Sequence, residues 1–436
     1  MSHTVMVIDS SGRGHALCQQ ILKTDRSASV LYVPGCRAIE QTGITSVPEI
    51  DMTDIEGISA LARQYQPNLI IVSNIEAIRA GVTDQLLKEG WNTIGATAKA
   101  GKLETSKSFS KQFLNHAGVN TPRYIKCSSE QEAFAALENF PNGCVVKADG
   151  LCIDGDGVFM ASSPDDAKAA IRKLISEQAF GDAGAQLLLE EWIVGRELSI
   201  MVFVDDQGGF NVLPPAMDYK RSDDQDKGIN CAGMGSVFPH PLDSTALQEQ
   251  IRTSVVSPIV SQMIRDEILF TGFFFIGAML TNTGIHVLEI NSRFGDSEAE
   301  VMFPAINANL TECFELGLAG RAEEIDWQFD SRFRVSVSLG QGAIPSDDTD
   351  NLGWPYGKFK AGNEIYGIRN LEETGSELFF ANVDRDAKGK LITAGGRVAH
   401  VVGSAEALST AVQTTYSGVR EIGFKGMKIR TDIGLA

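Results

Sequence analysis

The alternation of apolar runs with polar, glycine-rich breaks predicts three successive regions. TVMVID (4–9) is an apolar run followed by the turn SSGRG (10–14) and the helix-like HALCQQIL. SVLYVPG (29–35), helix-like ISALARQY (58–65) and the strand NLIIVS (68–73) continue this rhythm. Strands alternating with helices build a parallel sheet covered on both faces, so residues 1–100 predict a small α/β domain. The grain changes over 101–325. SKSFSKQFLNHAG (106–118) reads as a helix stopped at Gly118, with Pro122 just beyond. After it come CVVKADG, a glycine loop, helix-like SPDDAKAAIRKLISEQ (163–178), and the strands LLLEEWI (187–193) and ELSIMVFVDD (197–206). FTGFFFIGAML (270–280) and IHVLEINSRFG (285–295) follow. Short strands in hairpins around helices predict α+β. Residues 330–436, with FRVSVSLG, ELFFANV, RVAHVV and a closing helix ALSTAVQTTYSGVREI, predict a third, small α+β domain.

Composition narrows the function classes. The 436 residues suffice for two or three domains with a substantial core. Hydrophobic residues at 43% and charged residues at 22% exclude a disordered chain. The longest apolar candidate, FFFIGAML (273–280), falls well short of the ~20 residues of a membrane span. The start MSHTVMVID runs straight into a strand and shows no signal peptide. Seven cysteines without a CxxC or Cys/His pair fit reduced thiols in a cytoplasm and give no reason to expect structural zinc. A net charge of −18 argues against nucleic-acid and anionic-membrane partners.

Several clusters carry candidate chemistry. Gly12-x-Gly14 is followed by Leu17 where a dinucleotide fingerprint wants a third glycine, and SVLYVPG lacks the acidic residue for a ribose. Nicotinamide binding is therefore not expected. Ser11, Gly12 and Arg13 at a strand-to-helix turn suit an anionic substrate group, and a tight turn with no ligand is an equal alternative. Lys107 stands at a helix start and Lys147 at a strand end. Beyond Lys147, KADGLCIDGDGV carries Gly150, Gly155 and Gly157, a loop able to wrap phosphate, yet also Asp149, Asp154 and Asp156. EEWI contributes Glu190, Trp192 and Ile193, with Glu197 beyond. In HVLEINSRFGD, strand alternation puts Glu289, Asn291 and Arg293 on one face. A carboxylate and an amide oxygen suit Mg²⁺ (or Mn²⁺), and the arginine suits a carboxylate or phosphate.

ETSKSFSK, VVKADG with its glycine loop, EEWIVGRE, NCAGMG (230–235), EINSRFGDSE (289–298) and AGGRV (394–398) together resemble the phosphoribosylamine–glycine ligases of the ATP-grasp superfamily. The resemblance spans nearly the whole chain. It implies a pre-ATP-grasp α/β domain (1–100), a two-lobed ATP-grasp domain (101–325, inner lobe about 123–194) and a C-terminal domain (330–436). It also implies an ADP-forming C–N ligase that activates a small carboxylate, such as an amino acid, as an acyl phosphate for attack by an amine. Lys107 and Lys147 would then contact ATP phosphates, with Gly150, Gly155 and Gly157 over them. Glu190 and the backbone of Trp192 and Ile193 would face adenine, and Glu197 the ribose. Glu289 and Asn291 would hold Mg²⁺. Arg293 and Lys147 would act in catalysis. Arg293, Asp296 and Asp218, with Lys220, Asn230, Gly233 and the N-terminal Ser11, Gly12 and Arg13, would line the substrate pocket. A monomer or homodimer is expected.

The departures from the family cluster at ligand positions. Asp156 stands where the family's loop has a lysine, GRGH replaces GREH, SNIEAI (73–78) replaces GPEAPL near the amine, and RFGDSE lacks a proline. These lead to the expectation of a divergent paralogue with an altered amine or acid, in a specialised pathway. The alternatives are the purine-pathway ligase itself and an inactive nucleotide-binding protein.

Overall fold

The computed structural model describes residues 3–39, 41–152, 156–344 and 351–435. Five parallel strands open the chain, in the spatial order Ile44–Ser46, Ser29–Pro34, Thr4–Asp9, Leu69–Val72, Thr93–Ile94. The order reverses between Thr4–Asp9 and Leu69–Val72, which opens a crevice at their carboxyl ends. Asp9 organises that edge. Its buried carboxylate accepts from Ser10 N–H (2.7 Å), Ser11 N–H (2.9 Å), Ser73 Oγ (2.7 Å) and Arg13 Nε (2.8 Å). The first helix, Gly12–Thr24, begins inside the expected turn. It can start so early because Gly14 carries no Cβ, which would otherwise sit 2.5 Å from the Tyr32 hydroxyl.

Two antiparallel four-stranded sheets follow. The first runs Tyr124–Cys127, Leu187–Glu191, Cys144–Ala148, Val158–Ala161. It closes a core of its own, with Val146, Leu187 and Leu189 against Ala167, Ile171 and Leu174 of the helix Pro164–Ile175. Ser163 caps that helix in a capping box with Asp166. The second sheet runs Phe210–Val212, Arg196–Val204, Gly272–Thr281, Gly284–Asn291. Between the two, the helix Lys107–Ala117 is capped by the Ser106 hydroxyl and stops at Gly118, whose φ of +72° suits a residue without a Cβ. The α/β and α+β expectation holds.

The last sheet, in the order Met217–Asp218, Gly235–Phe238, Phe333–Gln341, Arg397–Ala405, Glu377–Phe380, is backed by the helix Leu408–Glu421. Its first two strands come from the middle of the sequence, so the C-terminal layer is tied to the middle region by main-chain hydrogen bonds.

The second sheet shares its core with the N-terminal layer. One face packs Ile200 and Phe274 with Met6 and Ile70; the other packs Met201 and Phe275 with Val5 and Ile71. On that second face Phe203 lies edge-on to Phe273 (ring centroids 4.9 Å apart) and Trp327 (5.6 Å), near Phe314 (6.1 Å). Phe203→Ala is expected to cost about 3–5 kcal/mol, because a close-packed aromatic cluster cannot collapse around the void. Urea unfolding monitored by tryptophan fluorescence measures it.

Candidate active site

Two connected cavities lie where the layers meet. The larger, about 370 Å³, is lined by Ser11, Arg13, Lys107, Gly157, Asp218, Lys220, Asn230, Gly233, Glu289, Asn291, Arg293 and Asp296. The smaller, about 110 Å³, is lined by Lys147, Glu190, Trp192, Ile193 and Glu197. Lys220, Asn230 and Glu289 face both. Gly12 and Gly150 belong to neither lining and serve close packing instead. A Cβ on Gly12 would lie 2.4 Å from Glu300 Oε1, and one on Gly150 2.6 Å from the Ala183 backbone. Gly155 and Asp154 lie outside the described residues.

The strand Gly284–Asn291 projects its donors with one irregularity. Its pairing with Gly272–Thr281 shifts so that Gly277 faces Glu289 and Ala278 faces Val287. The bulge leaves Leu288 over, and Leu288, Glu289, Asn291 and Arg293 all reach the cavity wall. Burial alone would raise the Glu289 carboxyl. The ammonium of Lys220, 3.2 Å away, with those of Lys147 and Lys107, instead brings it to about 2. Lys220 is held charged in turn: burial opposes this, but Glu289, Glu197, Asp218 and Glu298 outweigh it. An ionised carboxylate beside the Asn291 amide oxygen is an oxygen donor set that fits a hard divalent cation.

Arg293 depends on Glu104, the first residue of ETSKSFSK, to which the sequence reading gave no role. Its Nη2 donates to Glu104 Oε1 (2.8 Å) and to Asn291 Oδ1 (3.3 Å), while its Nη1 donates to the Phe294 carbonyl (3.0 Å). Glu104 also accepts from Ser292 N–H (2.9 Å), so one carboxylate fixes both the loop and the guanidinium. Asp296 lies between Arg397 Nη2 (3.2 Å) and Arg13 Nη1 (3.9 Å). These arginines, with Arg293, overcome the effect of burial and hold its carboxyl well below the usual range. Asp218 goes the other way: burial, with Glu298 nearby, pushes it well up.

In the smaller cavity, Glu190 Oε2 accepts from Lys147 Nζ (2.7 Å) and lies 3.4 Å from Lys111 Nζ. Glu190 Oε1 is buried with no partner among the described residues. Lys111, the last residue of ETSKSFSK and given no role from sequence, donates to Thr121 Oγ1 (2.7 Å). Burial, with Lys147 adding to it against Glu190, lowers Lys111 to about 8.

At the stem of the glycine loop, Asp149 accepts from Ser108 N–H (2.7 Å), Ser108 Oγ (2.7 Å) and Ser106 Oγ (3.2 Å). Its carbonyl accepts from Lys107 N–H (2.9 Å). This aspartate therefore anchors the loop to the start of the Lys107 helix. Asp156 is exposed and absent from both linings, whereas Cys152 and Gly157 face the large cavity. Asn74, Ile75 and Glu76 of SNIEAI and Asn382 and Arg397 of the C-terminal layer complete the wall.

Among the described residues, no helix is long and apolar enough to cross a membrane. Three family descriptions match the chain in succession: the phosphoribosylglycinamide synthetase N domain (residues 3–104), its ATP-grasp (A) domain (105–299) and its C domain (351–436). The chain is 33% identical over 433 residues to a phosphoribosylamine–glycine ligase of Xanthomonas axonopodis pv. citri, covering 99% of this chain and 97% of that one. It is also 33% identical over 439 residues to the trifunctional purine biosynthetic protein adenosine-3 of Gallus gallus, spanning 42% of that protein's length. The crystal structure of a phosphoribosylamine–glycine ligase from Thermotoga maritima superposes with a TM-score of 0.80 at 27% identity, covering 98% of this chain and 99% of that one. The chain belongs to the phosphoribosylglycinamide synthetase family and is an ATP-grasp ligase, which uses ATP and Mg²⁺ to join a carboxylate to an amine.

Proposed function

We propose that the protein is a phosphoribosylamine–glycine ligase, joining glycine to phosphoribosylamine with release of ADP and phosphate. The observation that carries this reading is the intact cavity wall: Lys107, Glu289, Asn291, Arg293 and Asp296 face one space, with Arg13 and Arg397 beside Asp296. The relatives that cover the chain end to end bear that activity in their names. The expectation of a divergent paralogue rested on departures at several ligand positions, most sharply the loop aspartates Asp154 and Asp156, of which Asp154 lies outside the described residues. Asp156 is exposed and belongs to neither cavity lining. The domains proposed are residues 1–100, 101–325 and 330–436.

In this reading the smaller cavity takes adenine, with Glu190 Oε1 accepting from the exocyclic amine and Glu197 at the ribose. Lys147 and Lys107 meet the phosphates. Glu289 and Asn291 hold Mg²⁺, which spreads the negative charge of the transferring phosphoryl group. Arg293, fixed by Glu104, orients the glycine carboxylate. A carboxylate oxygen attacks the γ-phosphorus as the bond to ADP breaks, giving an acyl phosphate. The ribosylamine nitrogen then attacks the acyl carbon and phosphate leaves. Arg13 and Arg397 suit the ribosylamine's phosphate, and the separate core of the first antiparallel sheet lets that lobe close as a unit over the site.

Purified protein should release ADP and phosphate only when glycine and freshly made phosphoribosylamine are both present, and hydroxylamine should trap a glycyl hydroxamate. Turnover with other amines or acids but not with this pair would restore the paralogue, and AMP release would refute acyl phosphate chemistry. Glu289→Gln should raise the Mg²⁺ concentration for half-maximal rate about 10–100-fold. Lys111 offers an independent check. Its amine should titrate near 8 by NMR of the methylated protein. Removing the Lys147 charge in Lys147→Met should raise that value, and removing the Glu190 charge in Glu190→Gln should lower it. Because the folded-state value lies below the unfolded one, this group makes the protein more stable as pH rises through 8.

A further inference from the structure

Three polar atoms apart from the Mg²⁺ residues converge beside the large cavity. Asp296 Oδ1, Glu300 Oε1 and His400 Nε2 belong to groups whose ligand atoms lie within 4.8 Å of one another. Glu300 and His400 are completely buried, and none of the three atoms has a hydrogen-bond partner among the described residues. In each group the other polar atom is held from behind. Ser338 Oγ lies 3.0 Å from His400 Nδ1 and gives its own proton to the Gly233 carbonyl (2.8 Å). Nδ1 is therefore the protonated nitrogen, and Nε2 turns a lone pair toward the carboxylates. Ser297 N–H donates to Glu300 Oε2 (3.2 Å). Arg397 Nη2 and Arg13 Nη1 face Asp296 Oδ2.

A buried imidazole lone pair facing two carboxylate oxygens is unfavourable unless something positive sits between them. His400 Nε2 is 3.6 Å from Asp296 Oδ1 and 3.6 Å from Glu300 Oε1. That separation is too long for hydrogen bonds. It is close to the ~3.4 Å edge of a tetrahedron built on metal–ligand bonds of about 2.1 Å. The backing contacts from Ser338, Ser297 and Arg397 are the kind that orient metal ligands.

We propose that Asp296, Glu300 and His400 bind one divalent transition-metal ion of the Zn²⁺ class, at a site separate from Glu289 and Asn291. One imidazole with two carboxylates suits such an ion better than Mg²⁺. The site joins the loop after the strand Gly284–Asn291, the short helix Ala299–Met302 and the C-terminal strand Arg397–Ala405. The ion acts on the cavity through Asp296, which it holds at the wall. Nothing in the cysteine pattern pointed to zinc, because the ligands are carboxylates and a histidine 104 positions apart in sequence.

The test is Zn²⁺ binding to the full-length protein in saturating Mg²⁺, read by equilibrium dialysis with elemental analysis and by thermal melting. One equivalent bound and a Tm that rises with Zn²⁺ are expected. His400→Asn and Glu300→Gln should each bind Zn²⁺ at least ~10-fold more weakly, while Glu289→Gln keeps the full equivalent. Co²⁺ bound to the wild type should show the intense visible bands of a low-coordinate site, a readout that stands even if a variant misfolds. No retained ion in the wild type, binding lost in Glu289→Gln but kept in His400→Asn, or a Co²⁺ spectrum without those bands would each overturn the proposal.

Discussion

One carboxylate draws on both ends of the chain. Asp296 sits between Arg13 of the first helix and Arg397 of the C-terminal sheet. Burying any of these charges alone would cost several kcal/mol, so each is tolerated only because the others are in place. The cavity therefore exists only in the assembled fold. The same reciprocity recurs at Glu104 with Arg293 and at Lys220 with Glu289 and Glu197. The wall is held by ion pairs between separate layers, while the hydrophobic cores hold the layers themselves.

Those cores divide the work unevenly. The sheet carrying Glu289 and Asn291 is packed on both faces against the N-terminal layer. The sheet carrying Lys147 and Glu190 has its own small core, which does not merge with the others. A strand that shares its core with the body and a lobe that is separately packed match the needs of a ligase. The donors of the strand stay fixed, while the lobe can shift without breaking a continuous core.

Most of the strands and helices were legible because each announces itself locally: apolar runs for buried strands, helical stretches such as SKSFSKQFLNHAG, and Gly118 with Pro122 as a stop. Glu289, Asn291 and Arg293 were legible because they share one short strand. Glu104, Lys111, Arg397 and Asp9 were not singled out. Each is an ordinary charged residue in its own stretch and gains meaning only from a partner brought close by topology, as Glu104 does from Arg293, 189 positions away. The register of Leu288 was equally hidden, since a bulge depends on the pairing strand and not on the strand's own pattern. At the N-terminus the sequence left SSGRG open between a turn that receives an anionic group and a tight turn alone; in the fold Ser11 and Arg13 face the large cavity. Gly12 and Gly14 let a helix start close against Glu300, Tyr32 and Asp9.

The acidic residues of the glycine loop show the same lesson in charge. From the sequence, Asp149 and Asp156 look alike, both set to repel a triphosphate. In the fold they do different things. Asp149 spends its oxygens on Ser106 and Ser108, with Lys126 3.4 Å away, and so it fastens the loop to the helix that carries Lys107. Its charge is neutralised locally and its removal would release the loop. Asp156 faces water, where two charges even ~4 Å apart interact by only about 1 kcal/mol. A sign reversal at an exposed position changes far less than one among Lys107, Lys147 and Lys220 would. Lys107, Lys147 and Lys220 line the cavities, and theirs are the charges that an anion entering them would meet.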